Sequence, residues 1–166
     1  MSYNTIKIKN YSNHFEEFSA YAAISPGMLV EQTPSAATIR KHATSGGNVT
    51  VVAFATEDAL QGKGITDAYA AGDKVQVWYP QAGDVVYALI ADEQNIAIGD
   101  ELESNGAGFL TKHTIKTWGS TDSMVAETLY YSCVVGKALE TLDLTSLSAA
   151  GTSDTPLRNF MKVRIR

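Results

Sequence analysis

The chain has 166 residues, 45% of them hydrophobic, which is enough for one self-sufficient domain. Its single cysteine, Cys133, excludes an internal disulfide framework and a multi-cysteine zinc site. A net charge of −5 and the lack of an aromatic–basic motif argue against nucleic acid as a partner.

The opening residues, MSYNTIKIKN, lack the apolar stretch of a secretory signal. The longest strongly apolar run, Val85 to Ala91, is far too short to span a bilayer. Both features predict a soluble protein made in a cytoplasm, with no membrane partner. Thr5 to Lys9 (TIKIK) alternates strictly, with Ile6 and Ile8 on one face and Lys7 and Lys9 on the other, the pattern of a half-buried strand. From Ser12 to Ala23, Phe15, Phe18 and Ala22 recur at helical spacing behind a cap at Ser12 or Asn13. That spacing predicts a short helix, with an extended arm as the alternative. Pro26-Gly27 sets a turn before a strand.

Thr38 to His42 and Val49 to Ala55 read as strands joined by the turn Ser45-Gly46-Gly47-Asn48. Asp58 to Asp73 has no sustained apolar period and reads as a long loop. Lys74 to Tyr79 alternates and stops at Pro80, while Val85 to Ala91 is apolar on both faces and predicts a central strand. Ile96, Ile98, Glu101 and Leu102 form a short strand and turn, and Asn105-Gly106 is the strongest hairpin signal. Glu127 to Leu144 looks like a strand bent at Gly136, and Thr145 to Pro156 is loop-like. Lys162 to Arg166 (KVRIR) repeats the amphipathic pattern of the first strand. The two terminal strands are expected to pair with each other or to lie along a neighbouring subunit.

Together these segments predict a mainly β fold: a compact β-barrel or β-sandwich over residues 25–166, an N-terminal arm over residues 1–24, and at most one or two short helices. Both chain ends are basic. Lys7 and Lys9 stand at one, and Arg158, Lys162, Arg164 and Arg166 at the other, with no acid in either stretch. Such ends are interaction tails, or edge strands whose charges deter wrong pairing.

Gly-Asp occurs three times in a short space, at Gly72-Asp73, Gly83-Asp84 and Gly99-Asp100. Converging aspartates suggest a metal, but strand-like residues separate them. Asp92 to Glu103 departs from a calcium loop because Ile96 and Ile98 occupy its middle. The pairs are read instead as turns, since aspartate bonds nearby backbone. Gly62 to Thr66 lacks the spacing of a phosphate loop. His14, His42 and His113 have no metal-ligand spacing, and no nucleophile elbow is present. Cys133 reads as a buried structural thiol, and the repeated Lys-His at 41–42 and 112–113 as two similar strand ends. Trp78-Tyr79 and Tyr130-Tyr131 could stack on sugars, though at strand spacing they suit core and cross-strand pairing better. No catalytic residue, metal site or cofactor is expected.

Several stretches resemble the capsid decoration (cement) proteins of tailed bacteriophages. They are SYNTIKIKNYSNHFEEFSAYAAISPGMLVE, KHATSGGNV, AFATEDALQGKGITDAY with the Gly-Asp strands that follow, VGKALETLDL and the closing MKVRIR. The resemblance covers most of the chain, and residues 114–132 and 145–157 match least. It implies a non-enzymatic protein on the capsid exterior that binds the major capsid protein, associates as a homotrimer and resists the pressure of packaged DNA. The expected contact residues are Ile6, Lys7, Ile8, Lys9, Phe15 and Phe18 of the arm, with Arg158, Lys162, Arg164 and Arg166 at the other end. The alternative is a carbohydrate- or receptor-binding β module on a virion surface.

Overall fold

A computed structural model describes residues 3–11, 13–35, 37–47, 49, 51–114, 133–145 and 159–166. Its strands in chain order begin with β1 (Lys7–Lys9), β2 (Phe15–Ala20), β3 (Val30–Gln32), β4 (Thr38–Lys41), β5 (Phe54–Ala55) and β6 (Lys74–Trp78). They continue with β7 (Val85–Leu89), β8 (Asn95–Ile96), β9 (Glu101–Ser104), β10 (Leu110–Lys112), β11 (Val134–Ala138), β12 (Leu142–Asp143) and β13 (Phe160–Ile165). The protein is a β-sandwich-like assembly of a six-stranded sheet, ordered β1-β7-β13-β11-β9-β10, and a five-stranded sheet, ordered β3-β4-β2-β6-β5. β8 and β12 form a separate two-stranded ribbon.

Both sheets curl. In the five-stranded sheet, Val30 N donates to Ala53 O at 2.9 Å and Leu29 bridges Phe54, so the two edge strands meet. In the six-stranded sheet, Ala91 N donates to Leu110 O at 2.8 Å, which brings β10 back to the end of β7. One continuous apolar core joins the two. Ile6, Val86 and Val163 enter it from one sheet, and Phe18, Ile39 and Trp78 from the other.

The expectations for residues 1–24 are corrected. The segment read as a helix is β2, which pairs with β6 in five consecutive steps from Phe15↔Trp78 to Ser19↔Lys74. Phe18 and Ala20 are buried with Ser19 between them, a period of two, while Ala22 is exposed. A few apolar residues fit both periods, and the free edge of β6 decides between them. Nor is the segment an arm. Ile6 is fully buried; its N–H donates to Glu57 Oε2 at 3.1 Å and its carbonyl accepts from Tyr87 N at 2.7 Å. Across the expected boundary, Ile24 is also fully buried and exchanges backbone bonds with Tyr69 at 3.1 and 2.8 Å. The terminal strands do not pair with each other. β1 and β13 lie on opposite edges of β7, the strand that is buried throughout.

The Gly-Asp pairs share one device. Gly72, Gly83 and Gly99 have φ of 89°, 95° and 90°, a region that favours glycine at the third position of a turn. In each turn the aspartate carboxylate accepts the N–H three residues back, from Ala70, Gln81 and Ala97 at 2.8, 2.8 and 2.9 Å. The glycine N–H then donates to a neighbouring strand end, and that residue's N–H returns to the aspartate carbonyl; the receiving residues are Ala20, Ile165 and Ala138. Ser25-Pro26-Gly27-Met28 repeats the pattern against Ala55 without an aspartate. Each turn therefore reverses the chain and also starts a ladder. The long loop after Asp58 is anchored as well: a 3₁₀ turn (Ala59–Gln61) opens it, and buried Tyr69 donates its hydroxyl to Thr56 O at 2.8 Å.

Candidate functional site

The sequence-predicted contact residues separate into two groups. Ile6 and Phe18 are core residues, and Ile8 packs partly buried against the same core, so the first two cannot serve as an exposed contact. The polar members gather at one end of β7. Lys9 and Arg164 both stand opposite Val85, one on each flanking strand. Strands two positions apart lie roughly 10 Å from one another. The chain between β1 and β2 folds over this end, held by Tyr11 N donating to the buried carboxylate of Asp84 at 2.7 Å.

That fold brings aromatic rings to the lysines. Lys7 Nζ lies 4.5 Å from the centre of the Phe15 ring and 3.1 Å from Asn13 Oδ1. Lys9 Nζ lies 5.3 Å from the Tyr11 ring. Tyr11 is 72% exposed and Phe15 37%, so apolar area and positive charge share one surface. Sequence reasoning missed Tyr11, and the alternation of the first strand gives no sign that a ring eleven residues in folds back over it. Lys162 is set apart, with Nζ 3.1 Å from Glu140 Oε2, and that bond holds its ammonium above its ordinary range. Arg164 and Arg166 are exposed at the end of β13. Arg158 lies outside the described residues.

A second feature is a cleft of about 420 Å³ in the open end of the curled five-stranded sheet. Val30, Ile39 and Ala53 line it with apolar surface, and His14, Glu16 and Tyr79 add polar groups. Glu16 accepts the Tyr79 hydroxyl at 3.3 Å and approaches His14 Nε2 at 3.4 Å. Burial first, and the Glu16 charge second, push the Tyr79 phenol up to about 12. Trp78 is fully buried between Phe15 and Phe54 on the neighbouring strands, so it is a cross-strand core residue and no stacking platform. Tyr130 and Tyr131 lie outside the described residues.

The two Lys-His pairs do end strands, β4 and β10, and both histidines dock on β9. His42 Nδ1 is 2.8 Å from Ser104 Oγ, and His113 Nδ1 is 2.5 Å from Glu103 Oε2. Spacing along the chain gave no hint that the pairs converge on adjacent residues of one strand.

No protein-family model matches the chain, and a comparison with curated proteins finds no match. Among solved structures, the fold has a counterpart. It is similar to the head fiber gp8.5 N base of bacteriophage phi29. The two align over 93% of this chain and 95% of that one, with a TM-score of 0.53 and 14% sequence identity. At that identity the likeness establishes a shared fold, and it spans nearly the whole of both chains.

Proposed function

We propose that this chain is a structural protein of a tailed-phage virion that binds the outer surface of the assembled capsid and stabilises it against internal DNA pressure. The observation that carries this reading is the end-to-end fold likeness to the base of a phage head fiber. The chain acts without catalysis, is made in the host cytoplasm, and has as partners the major capsid protein and two further copies of itself in a homotrimer. Many copies on one head allow modest contacts per chain to suffice.

The capsid-facing surface in this reading is the end of β7 carrying Lys7, Lys9, Tyr11, Phe15 and Arg164. Its rings supply apolar area worth roughly 1.5–3 kcal/mol when fully buried, against about 0–1 kcal/mol for an exposed ion pair. Truncating Tyr11 and Phe15 to alanine should therefore weaken attachment more than added salt does. The test mixes purified protein with undecorated heads and counts bound copies, with sedimentation reporting the trimer. Failure to bind heads, or a strict monomer both free and on the capsid, overturns the corresponding claim.

A second reading, a carbohydrate- or receptor-binding module, is favoured by one observation, the cleft beside Tyr79. Saturable glycan binding that Tyr79→Ala abolishes, in a protein that ignores heads, would favour it.

A further inference from the structure

Glu103, His113 and Cys133 bring a carboxylate, an imidazole and a thiol to one point. Their ligand atoms all lie within 4.8 Å of one another. His113 Nδ1 is 2.5 Å from Glu103 Oε2 and 3.7 Å from Cys133 Sγ. The side chains of His113 and Glu103 are only 4% and 6% exposed, and Cys133 is buried. Three adjacent strands supply the three groups. β9 carries Glu103, His113 follows the end of β10, and Cys133 precedes the start of β11, with β9 in the middle. The backbone N–H of His113 donates to Glu101 O at 2.7 Å, which fixes the position of its Cα. A register shift between Val134 and Gly136 lies directly beyond Cys133, and irregularities of this kind re-aim side chains at strand ends.

We propose that this cluster is a binding site for a divalent transition-metal ion of zinc-like chemistry, with water as the fourth ligand. A histidine–glutamate contact by itself is a satisfied buried pair and needs no third group. The thiol distinguishes this cluster. Bonds of about 2.3 Å to sulfur and 2.0 Å to nitrogen at a tetrahedral angle place S and N about 3.5 Å apart. Cys133 Sγ and His113 Nδ1 already stand at 3.7 Å. The oxygen must move further, from 2.5 Å to about 3.3 Å from the nitrogen, which rotation of the Glu103 side chain supplies. Thiolate with imidazole selects zinc-like ions over calcium or magnesium, which take oxygen ligands.

Binding is proton-linked. The Cys133 thiol loses its proton to solvent as the ion binds its sulfur, and the imidazole offers Nδ1 as a lone-pair donor. The ion ties together the ends of β9, β10 and β11, and it joins the two ends of the 19-residue sequence between His113 and Cys133.

The test titrates the full-length, reduced protein with cobalt(II) and zinc(II). One equivalent of cobalt should bind, with a near-ultraviolet thiolate-to-metal band and tetrahedral visible bands, and zinc should displace it. Cys133→Ser should abolish the near-ultraviolet band, and Glu103→Gln should weaken affinity by about tenfold or more. X-ray absorption on the unaltered zinc protein provides a readout that needs no variant. One sulfur at about 2.3 Å and nitrogen or oxygen at about 2.0 Å is the expected shell. Absence of stoichiometric binding, a shell without sulfur, or binding unchanged in Cys133→Ser overturns the proposal.

Discussion

β1 and β13 flank the same strand, β7, one on each edge, and they carry almost the same amphipathic pattern. β13 is interior: it pairs with β7 over five positions from Phe160↔Leu89 to Arg164↔Val85, and with β11 on its other side. β1 is an edge: it meets β7 at Lys7↔Val86 and Lys9↔Val85, with the register shifting between them. An interior strand has both rows of backbone groups engaged, whichever face its side chains take. An edge strand keeps one row open and can yield when disturbed. The difference teaches that the exposed chemistry belongs to the edge. Lys7, Lys9 and the rings they meet lie where the sheet can reach another molecule, while β13 presents only its terminal arginines.

The largest expected effect breaks this comparison by deletion. Removing residues 159–166 takes out the strand that joins β7 to β11, and the product should not fold, as read by loss of cooperative thermal melting in circular dichroism. Removing residues 1–9 should leave a folded protein with a lowered melting temperature. Equal outcomes for the two deletions would contradict the interior–edge distinction.

Next is Gly136→Ala on β11. An added Cβ would meet the carbonyl oxygen of Arg164 at 2.4 Å and Val163 Cγ1 at 2.9 Å, both on β13. Backbone cannot step aside cheaply, so a loss of about 2–3 kcal/mol is expected in denaturant unfolding. Ile6→Ala, at the edge, removes a fully buried side chain and should cost about 2 kcal/mol, the lower end for such truncations, because an edge can relax.

Smaller effects come from the three Gly-Asp turns, which are alike in geometry and unlike in burial. Asp84 is fully buried and accepts from Gln81 N and Tyr11 N on its two oxygens. Asparagine has one oxygen, and its amide would face one of those donors, so Asp84→Asn should cost about 1–3 kcal/mol. Among the described residues the Asp73 carboxylate accepts from Ala70 N, and it is partly exposed, so Asp73→Asn should stay within about 0.5 kcal/mol. Neither variant should change under added calcium, because these carboxylates serve backbone donors.

The smallest effect is a pH dependence at Asp100. Lys112, first, and the Ala97 N–H, second, hold its carboxyl below the ordinary carboxylate range. A carboxyl lowered on folding adds stability above its unfolded value, about 3.9, and loses it as pH falls through the lower folded value. Lys112→Met should flatten the melting temperature's decline below about pH 4. An unchanged decline would show that other carboxylates dominate there.

Much of this fold was legible along the chain. The strands at Thr38, Lys74 and Val85, the hairpin signal at Asn105-Gly106 and the Gly-Asp turns are local. Glycine tolerance of positive φ and aspartate bonding to nearby N–H groups act within four residues, so sequence alone determines them. The burial of β7 on both faces was equally visible in its unbroken apolar run. What the chain left open was partnership. Phe15, Phe18 and Ala22 fit a helix as well as Phe18 and Ala20 fit a strand, and only the free edge of β6 settles it. Lys7 and Lys9 read as plain strand charges until the turn at Tyr11 brings rings over them. Cys133, His113 and Glu103 lie far from any ligand motif and meet only because β9 separates β10 from β11. Pairing energy depends on which edges remain available after every other strand is placed. That is a property of the whole chain, so the tertiary structure alone decides it.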